Sequence, residues 1–459
     1  MGKNPVLFVI FGISGDLSKR KLLPALYRLI GQQDTPESFK IIGISRQPNY
    51  SVDQLFEAAA QYIPGADDAQ LQNLKNRVAI VHNTLESEAD GTALCDTLKH
   101  ESAQQGQNTQ RIYYLSIPPS AFPPIVSLLG NTGHNEAFSN EAARPRLLVE
   151  KPFGFDSQSA HGLIEAADRE FGEDQIYRID HYLARETAQN LLVFRFKNSL
   201  FETIWNSRHI SSITIAAHES IDIEGRANFY ENVGALRDFI QGHLMQLLCF
   251  VMMDRPSEWT SPAIHQQKLA FLQTVNPITA DQVSTSATRG QYIGYREAVG
   301  DINSNTETFA RLKLQSSSGN WAGTDIVLET GKALHERRTL IEVVFKGSDS
   351  DDDDSNTLTF RLQPSEGIVL QLQAKRPGLQ NTTEPVEMEF DYNRSFDAEG
   401  AQPYERVIMD AIKGDQTLFA SGAEVMASWN IVDAVLEQWA SSGDGLQLYQ
   451  TGAVASSIK

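Results

Sequence analysis

The sequence predicts an α/β domain built on a parallel sheet, followed by an α+β domain with a large, mainly antiparallel sheet. Three observations carry this. Val6–Phe11 is an unbroken apolar run that ends at Gly12 and leads into a helical pattern, as a strand buried on both faces of a parallel sheet would. Up to about residue 177, strand-like and helix-like stretches alternate. Beyond it the alternation stops and strand patterns succeed one another, the signature of an antiparallel sheet with segregated helices. The expected domains are therefore 1–177 and 178–459.

Composition narrows the class of partner. The chain has 459 residues, 41% hydrophobic and 21% charged, with a formal net charge of −19. That excess of negative charge argues against nucleic acid and against membrane surfaces as partners. It leaves room for a small anion held at a locally basic site. Cys95 and Cys249 are too few and too far apart for a disulfide framework or a metal cluster, so a reducing cytoplasm is the expected compartment. The first apolar run is too short for a signal peptide, and Val6 breaks the myristoylation pattern that Gly2 would begin. Leu244–Met253, interrupted by Gln246, is too short to cross a bilayer.

Taken in order, the first strand is followed by Gly12-Ile13-Ser14-Gly15-Asp16-Leu17 and a helix through about Gln32. Strand, glycine turn and helix start make a cradle of N–H groups for a phosphate, as expected of a Rossmann-like, dinucleotide-binding domain, though a glycine turn of any α/β fold would look the same. The G-x-G-x-x-G fingerprint is not met, because Ser14 and Leu17 occupy its second and third glycine positions. The second strand, Lys40–Ser45, ends at Arg46. An acidic residue there would hold the ribose hydroxyls of NAD; an arginine suits the 2′-phosphate of NADP. Val78–Val81 and Arg111–Ile117 read as further strands, with a helix over Val52–Ile63. Leu147–Glu150 runs into Lys151-Pro152, placing a lysine at a strand's C-terminal end, where open α/β sheets bind ligands.

Next comes Tyr177-Arg178-Ile179-Asp180-His181-Tyr182-Leu183, between a short strand ending near Tyr177 and a helix on which Leu183, Thr187, Asn190, Leu191 and Phe194 share spacing. A carboxylate, an imidazole and a phenol at such a junction face a cleft rather than a core. Arg185 is expected one turn into that helix, on the same face as His181, forming with it a pocket for a tetrahedral anion.

In the second domain, strands are predicted at 210–217, Phe309–Leu314, Asp325–Glu329, Thr339–Phe345, Leu358–Leu362, Gly367–Gln373 and Val386–Phe390. A single helix is expected over Phe229–Met253, with Val233, Leu236, Ile240, Leu244, Leu247 and Val251 on its apolar stripe and His243 and Gln246 on the other side. Gly242 lets a ligand approach closely. Ser348–Ser355, with five Asp, reads as a solvated loop. Tyr404–Ala411, Glu424–Trp439 and the segment between them read as helices covering the sheet.

Six motifs in this order resemble the glucose-6-phosphate dehydrogenase family: Gly12–Leu17, Glu150–Gly154, Arg178–Leu183, Glu224–Arg226, Arg237-Asp238 with Gln241–His243, and Gly331–Leu334 with Arg337. The resemblance runs from about residue 5 to about 440. It implies a dinucleotide-binding domain joined to a β+α domain, oxidation of glucose 6-phosphate at C1 with hydride transfer to NADP, entry to the pentose phosphate pathway, and a homodimer or homotetramer. It further implies that His243 is the general base and Asp180 its carboxylate partner. His181, Tyr182 and Arg185 would grip the sugar phosphate, and Lys151 would touch both substrate and cofactor. Glu219 and Asp238 would accept from sugar hydroxyls, while Lys332 and Arg337 would reach the substrate from the second domain. Gly12, Ser14, Gly15, Asp16, Leu17 and Arg46 would hold NADP. No metal is implied.

The chain departs from the family pattern at Arg185, where lysine is usual, at Ala184, where glycine is usual, and at Gly242, often asparagine. It ends soon after Trp439, so the second, structural NADP site built from a longer C-terminus in some members is not expected. Arg185 and Gly242 leave open a related NADP-dependent oxidoreductase for another anionic sugar. A non-catalytic sugar-phosphate or NADP sensor is the reading from another class, and the presence of both Asp180 and His243 stands against it.

Overall fold

The structure is a computed structural model that describes residues 4–106, 108–137, 143–347, 355–396 and 400–459. Gly2 and residues 348–354 of the expected acidic loop lie outside the described residues. The chain forms two compact units. The first comprises Met1–Gly154, Gln158–Ala184 and Ala401–Gly422; the second comprises Phe155–Ser157, Arg185–Gly400 and Ala423–Lys459. A single cut at 177/178 does not reproduce these units, because the main break falls after Ala184 and the stretches Phe155–Ser157 and Ala401–Gly422 cross over. Among the described residues no helix is long and apolar enough to cross a membrane.

The first unit is built on a seven-stranded sheet. Its strands are β1 (Val6–Phe11), β2 (Phe39–Ser45), β3 (Val78–His82), β4 (Gln110–Leu115), β5 (Arg146–Val149) and β6 (Ile176–Ile179). They lie side by side in the order β3-β2-β1-β4-β5-β6, all parallel. This is the doubly wound arrangement, in which the order of strands reverses between β1 and β4 and opens a crevice at their C-terminal ends. Alternate residues of β1 serve two cores: Val6, Phe8 and Ile10 on one face, Leu7, Val9 and Phe11 on the other. That two-sided burial is why the run lacks polar residues.

The helix expected over Tyr404–Ala411 packs against the other sheet from the one expected. Helix Pro403–Lys413 does not cover the second sheet; its Val407, Ile408 and Ala411 share a core with Val6, Phe8 and Ile10 in the first unit. The segment after it is not helical. Its Phe419-Ala420 adds an antiparallel edge strand to β6. An amphipathic pattern shows that a face is buried, not what buries it.

The second unit carries a nine-stranded sheet. After β7 (Ile210–His218) come β8 (Ala287–Tyr292), β9 (Phe309–Leu314), β10 (Asp325–Gly331), β11 (Arg338–Phe345), β12 (Thr357–Gln363), β13 (Gly367–Lys375) and β14 (Thr383–Asp391). With β15 the edge strand Phe419-Ala420 of the first unit, the last is β16 (Leu446–Tyr449). The order is β14-β13-β12-β11-β7-β10-β9-β8-β16. Pairs are antiparallel except β7 with β10 and β8 with β16. Strand β8 escapes sequence reading because its buried positions hold Arg289 and Gln291. Their side chains are satisfied by carbonyls, Arg289 donating to Trp439, Ser442 and Asp444 and Gln291 to Ser304 and Thr306.

The expected helix Phe229–Met253 is three pieces: Ala227–Tyr230, a π-helix Leu236–Leu244 and an α-helix Met245–Met252. Gly234 makes the break. Its φ is +68°, and a Cβ there would lie 2.5 Å from Glu307 Oε1, so only glycine fits. The wide turn of Leu236–Leu244 is itself a feature associated with functional sites. The stripe from Val233 to Val251 is buried, and so is Gln246, at 3% exposure.

The first unit also buries a titratable group. His134 is fully buried; its Nε2 faces the Cys95 carbonyl at 3.1 Å and its Nδ1 the Tyr113 hydroxyl at 2.8 Å. Nε2 therefore carries the proton and Nδ1 accepts. Burial, with Arg111 nearby, lowers its pKa from 6.5 to about 4. A folded value below the unfolded one means that the unfolded chain takes up the proton first. Stability from this site is complete above pH 6.5 and is lost as pH falls toward 4, by up to about 3 kcal/mol. Denaturant midpoints measured between about pH 4.5 and 7.5 should fall on the acid side, and less steeply in His134→Gln. An identical slope in both proteins would place the effect elsewhere.

Candidate functional site

In the first unit the turn after β1 is held shut by its own backbone. Gly15 N donates to Gly12 O at 2.9 Å, Ser18 Oγ donates to the same oxygen at 3.1 Å, and Gly12 N donates to Ile44 O at 3.1 Å. Gly12 has φ +85°, and a Cβ on it would meet Ser116 O at 2.2 Å. The turn thus needs a residue without a side chain, and it leaves an open cradle at the C-terminal end of β1. Ser14 Oγ lies 3.3 Å from Ser45 Oγ. Asp16 is exposed and pairs with Arg20 at 3.3 Å; Leu17 is half-buried. Arg46, just past β2, is exposed. Between the ends of β4 and β5 is a cleft lined by Leu115, Ile117, Val149, Lys151 and Pro152. The cradle, the exposed Arg46 and this cleft fit a dinucleotide, whose phosphates want N–H groups and whose rings want apolar walls.

Asp180 directly follows β6, which runs two residues beyond the predicted Tyr177. It is 1% exposed. Its Oδ1 accepts from Tyr182 N at 2.9 Å and its Oδ2 lies 3.5 Å from Lys151 Nζ. The two strand ends therefore present a carboxylate and an ammonium together. Beside them, His181 Nε2 is 3.2 Å from Glu150 Oε2, and its ring stacks on Tyr404 with centroids 4.1 Å apart. Tyr114 donates to Glu150, and burial, then the Glu150 charge, pushes the Tyr114 phenol well above its usual value. Tyr182 is half-buried in this turn.

Arg185 belongs to the second unit and caps the helix Glu186–Lys197 rather than lying inside it. The expected helical i,i+4 face shared with His181 is therefore absent. The helix start also already holds an anion: Glu366 Oε2 accepts from Thr187 N at 3.0 Å and from Thr187 Oγ1 at 2.7 Å. Whatever Arg185 binds, those two donors are taken.

The second unit gathers another part of the predicted set. Lys332, 2% exposed, is ion-paired with Glu219. Its Nζ lies 5.2 Å from the Tyr230 ring centroid and 6.0 Å from that of Phe239. Phe239 in turn meets the His243 ring edge-on at 5.6 Å. Asp238 lies on the same π-helix, five residues before His243. Burial raises the Tyr230 phenol well above its usual value, and Asp238 and Glu219 both add to this. One base, two carboxylates and a buried ammonium therefore sit around two aromatic rings. Arg337 is exposed on the segment before β11.

Residues 9–190 match the family "Glucose-6-phosphate dehydrogenase, NAD binding domain", and residues 192–457 match "Glucose-6-phosphate dehydrogenase, C-terminal domain". The chain belongs to the glucose-6-phosphate dehydrogenase family. It is 40% identical to a glucose-6-phosphate 1-dehydrogenase of Chlamydia muridarum (strain MoPn / Nigg), over 95% of this chain and 90% of that one. It is 36% identical to that of Rhizobium meliloti, over 98% and 94%. Among solved structures, a glucose-6-phosphate dehydrogenase in complex with glucose 6-phosphate superposes with a TM-score of 0.90 at 31% identity, over 99% of this chain and 96% of that one.

In this family member, the sequence alone does not mark Glu150, Tyr404, Tyr230, Phe239 and Glu366 as site neighbours. Glu150 was within reach, since it immediately precedes Lys151 in one of the six motifs. Tyr404 lies more than two hundred residues from His181 and has no local signal. Tyr230 and Phe239 read as core aromatics, which they also are.

Proposed function

We propose that this chain oxidises glucose 6-phosphate at C1 to the 6-phosphogluconolactone, with NADP as its cofactor. The observation that carries the reading is the second unit's cluster of His243, Asp238, Glu219 and Lys332 around Tyr230 and Phe239. Sugar hydroxyls need such carboxylates as acceptors, and aromatic faces suit a sugar's apolar face. When bound, the nicotinamide supplies the hydride acceptor.

The rest falls to the chain's own residues. His243 removes the proton from the C1 hydroxyl, a task for a base that titrates near neutrality. Asp180 is its carboxylate partner, a role that rests on the family resemblance. Glu219 and Asp238 accept from sugar hydroxyls and fix the ring. Lys332 and Arg337 supply positive charge toward the substrate. Lys151, His181, Tyr182 and Arg185 bind the phosphorylated end and, for Lys151, the cofactor as well. Absorbance of NADPH in the near ultraviolet, followed over a panel of sugar phosphates and free glucose, tests the reading. Glucose 6-phosphate should be oxidised and free glucose very poorly. Turnover of a different anionic sugar alone would overturn the substrate assignment.

Gly12, Ser14, Gly15, Asp16 and Leu17 would hold the cofactor phosphates, with Arg46 on the 2′-phosphate. Support comes from the exposure of Arg46 at the end of β2, where NAD enzymes carry an acid. Arg46→Ala should weaken NADP by about 1.5–3 kcal/mol, the range for a charged hydrogen bond, and NAD far less. Equal losses for the two cofactors, read by fluorescence titration, would remove the 2′-phosphate role.

A further inference from the structure

We infer that Glu307 is a positioning residue that sets the π-helix carrying Asp238 and His243 and ties it to the turn carrying Lys332; this rests on the function proposed above. Glu307 is 5% exposed. Its Oε1 accepts from Leu236 N at 2.9 Å, at the first residue of the π-helix. Its main-chain oxygen accepts from Ala235 N at 2.9 Å. The carboxylate fills the space beside Gly234, the residue whose φ of +68° turns the chain into that helix. One side chain thus occupies the break and caps the π-helix beyond it. A carboxylate at the start of a helix also meets the positive end of its dipole.

The next residue extends the tie. Thr308 O accepts from Lys332 N at 2.9 Å. Tyr449 Oη donates to Lys332 O at 2.7 Å, so at the 2.8 Å contact between Tyr449 Oη and Thr308 Oγ1 the threonine donates. Thr308 Oγ1 in turn accepts from Tyr292 N at 2.9 Å. Glu307 therefore holds Ala235 N and Leu236 N at the start of the His243 helix, while Thr308 holds Lys332 N directly and Lys332 O through Tyr449. Asp238 is two residues beyond Leu236, and His243 seven. A slip at Leu236 would swing both away from Lys332 and Glu219. Burial raises the Glu307 pKa, while the Leu236 N–H, Arg237 and Arg289 oppose the rise.

The test compares Glu307→Ala and Glu307→Gln with the parent enzyme in kcat and KM for glucose 6-phosphate, together with NADP affinity. Glutamine keeps an oxygen for the Leu236 N–H; alanine does not. Glu307→Ala should lose at least ~tenfold in kcat/KM, with a lowered kcat, since misplacements of about an ångström act on this scale. Glu307→Gln should recover most of that loss, and NADP affinity should stay at the parental value in both. Parental kcat/KM in Glu307→Ala overturns the inference, and so does equal impairment of the two variants. If Glu307→Ala does not fold, Glu307→Asp carries the test: it draws the oxygen back by one methylene and should fall between parent and failure, and a parental value sinks the idea. A parent that makes no NADPH from glucose 6-phosphate would instead refute the proposed function.

Discussion

His243→Ala should lower kcat for glucose 6-phosphate oxidation by about 10²–10⁴-fold, the usual cost of removing a general base, and leave KM close to the parental value. The split comes from the site. His243 meets Phe239 edge-on, whereas Lys332 and Glu219, the proposed sugar-binding groups, are held by their own ion pair. Losing the base removes an interaction needed in the transition state and leaves ground-state binding in place. Asp180→Asn should slow turnover as well. In the first unit its carboxylate accepts from Tyr182 N and lies near Lys151, so the variant should also weaken substrate binding, which His243→Ala should not. Steady-state kinetics on both proteins, with folding checked by circular dichroism, decides this. A His243→Ala enzyme with near-parental kcat would remove the base from the mechanism.

Gly12→Ala should abolish useful dinucleotide binding and destabilise the first unit. The backbone there has φ +85°, a left-handed conformation that costs an L-residue roughly 1–2 kcal/mol. The added Cβ would also lie 2.2 Å from Ser116 O, a main-chain atom that cannot move without pulling β4 with it. Ser116 N is itself bonded to Phe11 O at 3.0 Å. Relief of the clash therefore opens the β1–β4 crevice where the cofactor would sit. NADP affinity should fall at least ~tenfold, or ~1.4 kcal/mol, and the denaturant midpoint should drop with it. Normal NADP binding at parental stability would contradict the tight turn.

How much of the fold is legible in the sequence differs between the units. The first unit reads well because a doubly wound sheet writes itself as apolar runs, and β1 and β2 carry no charged interior residue apart from the edge position Lys40. The nine-stranded sheet reads well where inward residues alternate, as in β11 and β12. It fails at β8, where Arg289 is buried against carbonyls and its charge hides the strand. Helix Pro403–Lys413 is legible as a helix, but its partner is the first sheet and not the second. Periodicity carries no information on which of two sheets a stripe will meet.

The site divides in the same way. Asp180, His181 and Lys151 stand at strand ends, as their spacing implies. Arg185 does not share a helical face with His181, because the helix begins after it, and Glu366 takes the Thr187 donors at that helix start. The π-helix is invisible in the sequence because its residues also satisfy an α-helical stripe. In the structure it is set by Gly234, a glycine inside that stripe, and by Glu307, which bonds Leu236 N across 71 residues of sequence.

On the proposed function, hydride passes from C1 of glucose 6-phosphate to the nicotinamide of NADP. The most direct measurement gives the purified chain glucose 6-phosphate deuterated at C1, with NADP, and weighs both products by mass spectrometry. Direct transfer predicts one deuterium in the reduced cofactor, none in the 6-phosphogluconate left when the lactone hydrolyses, and a slower rate than with the undeuterated sugar. Deuterium retained on the sugar, or reduced cofactor without it, would contradict that transfer.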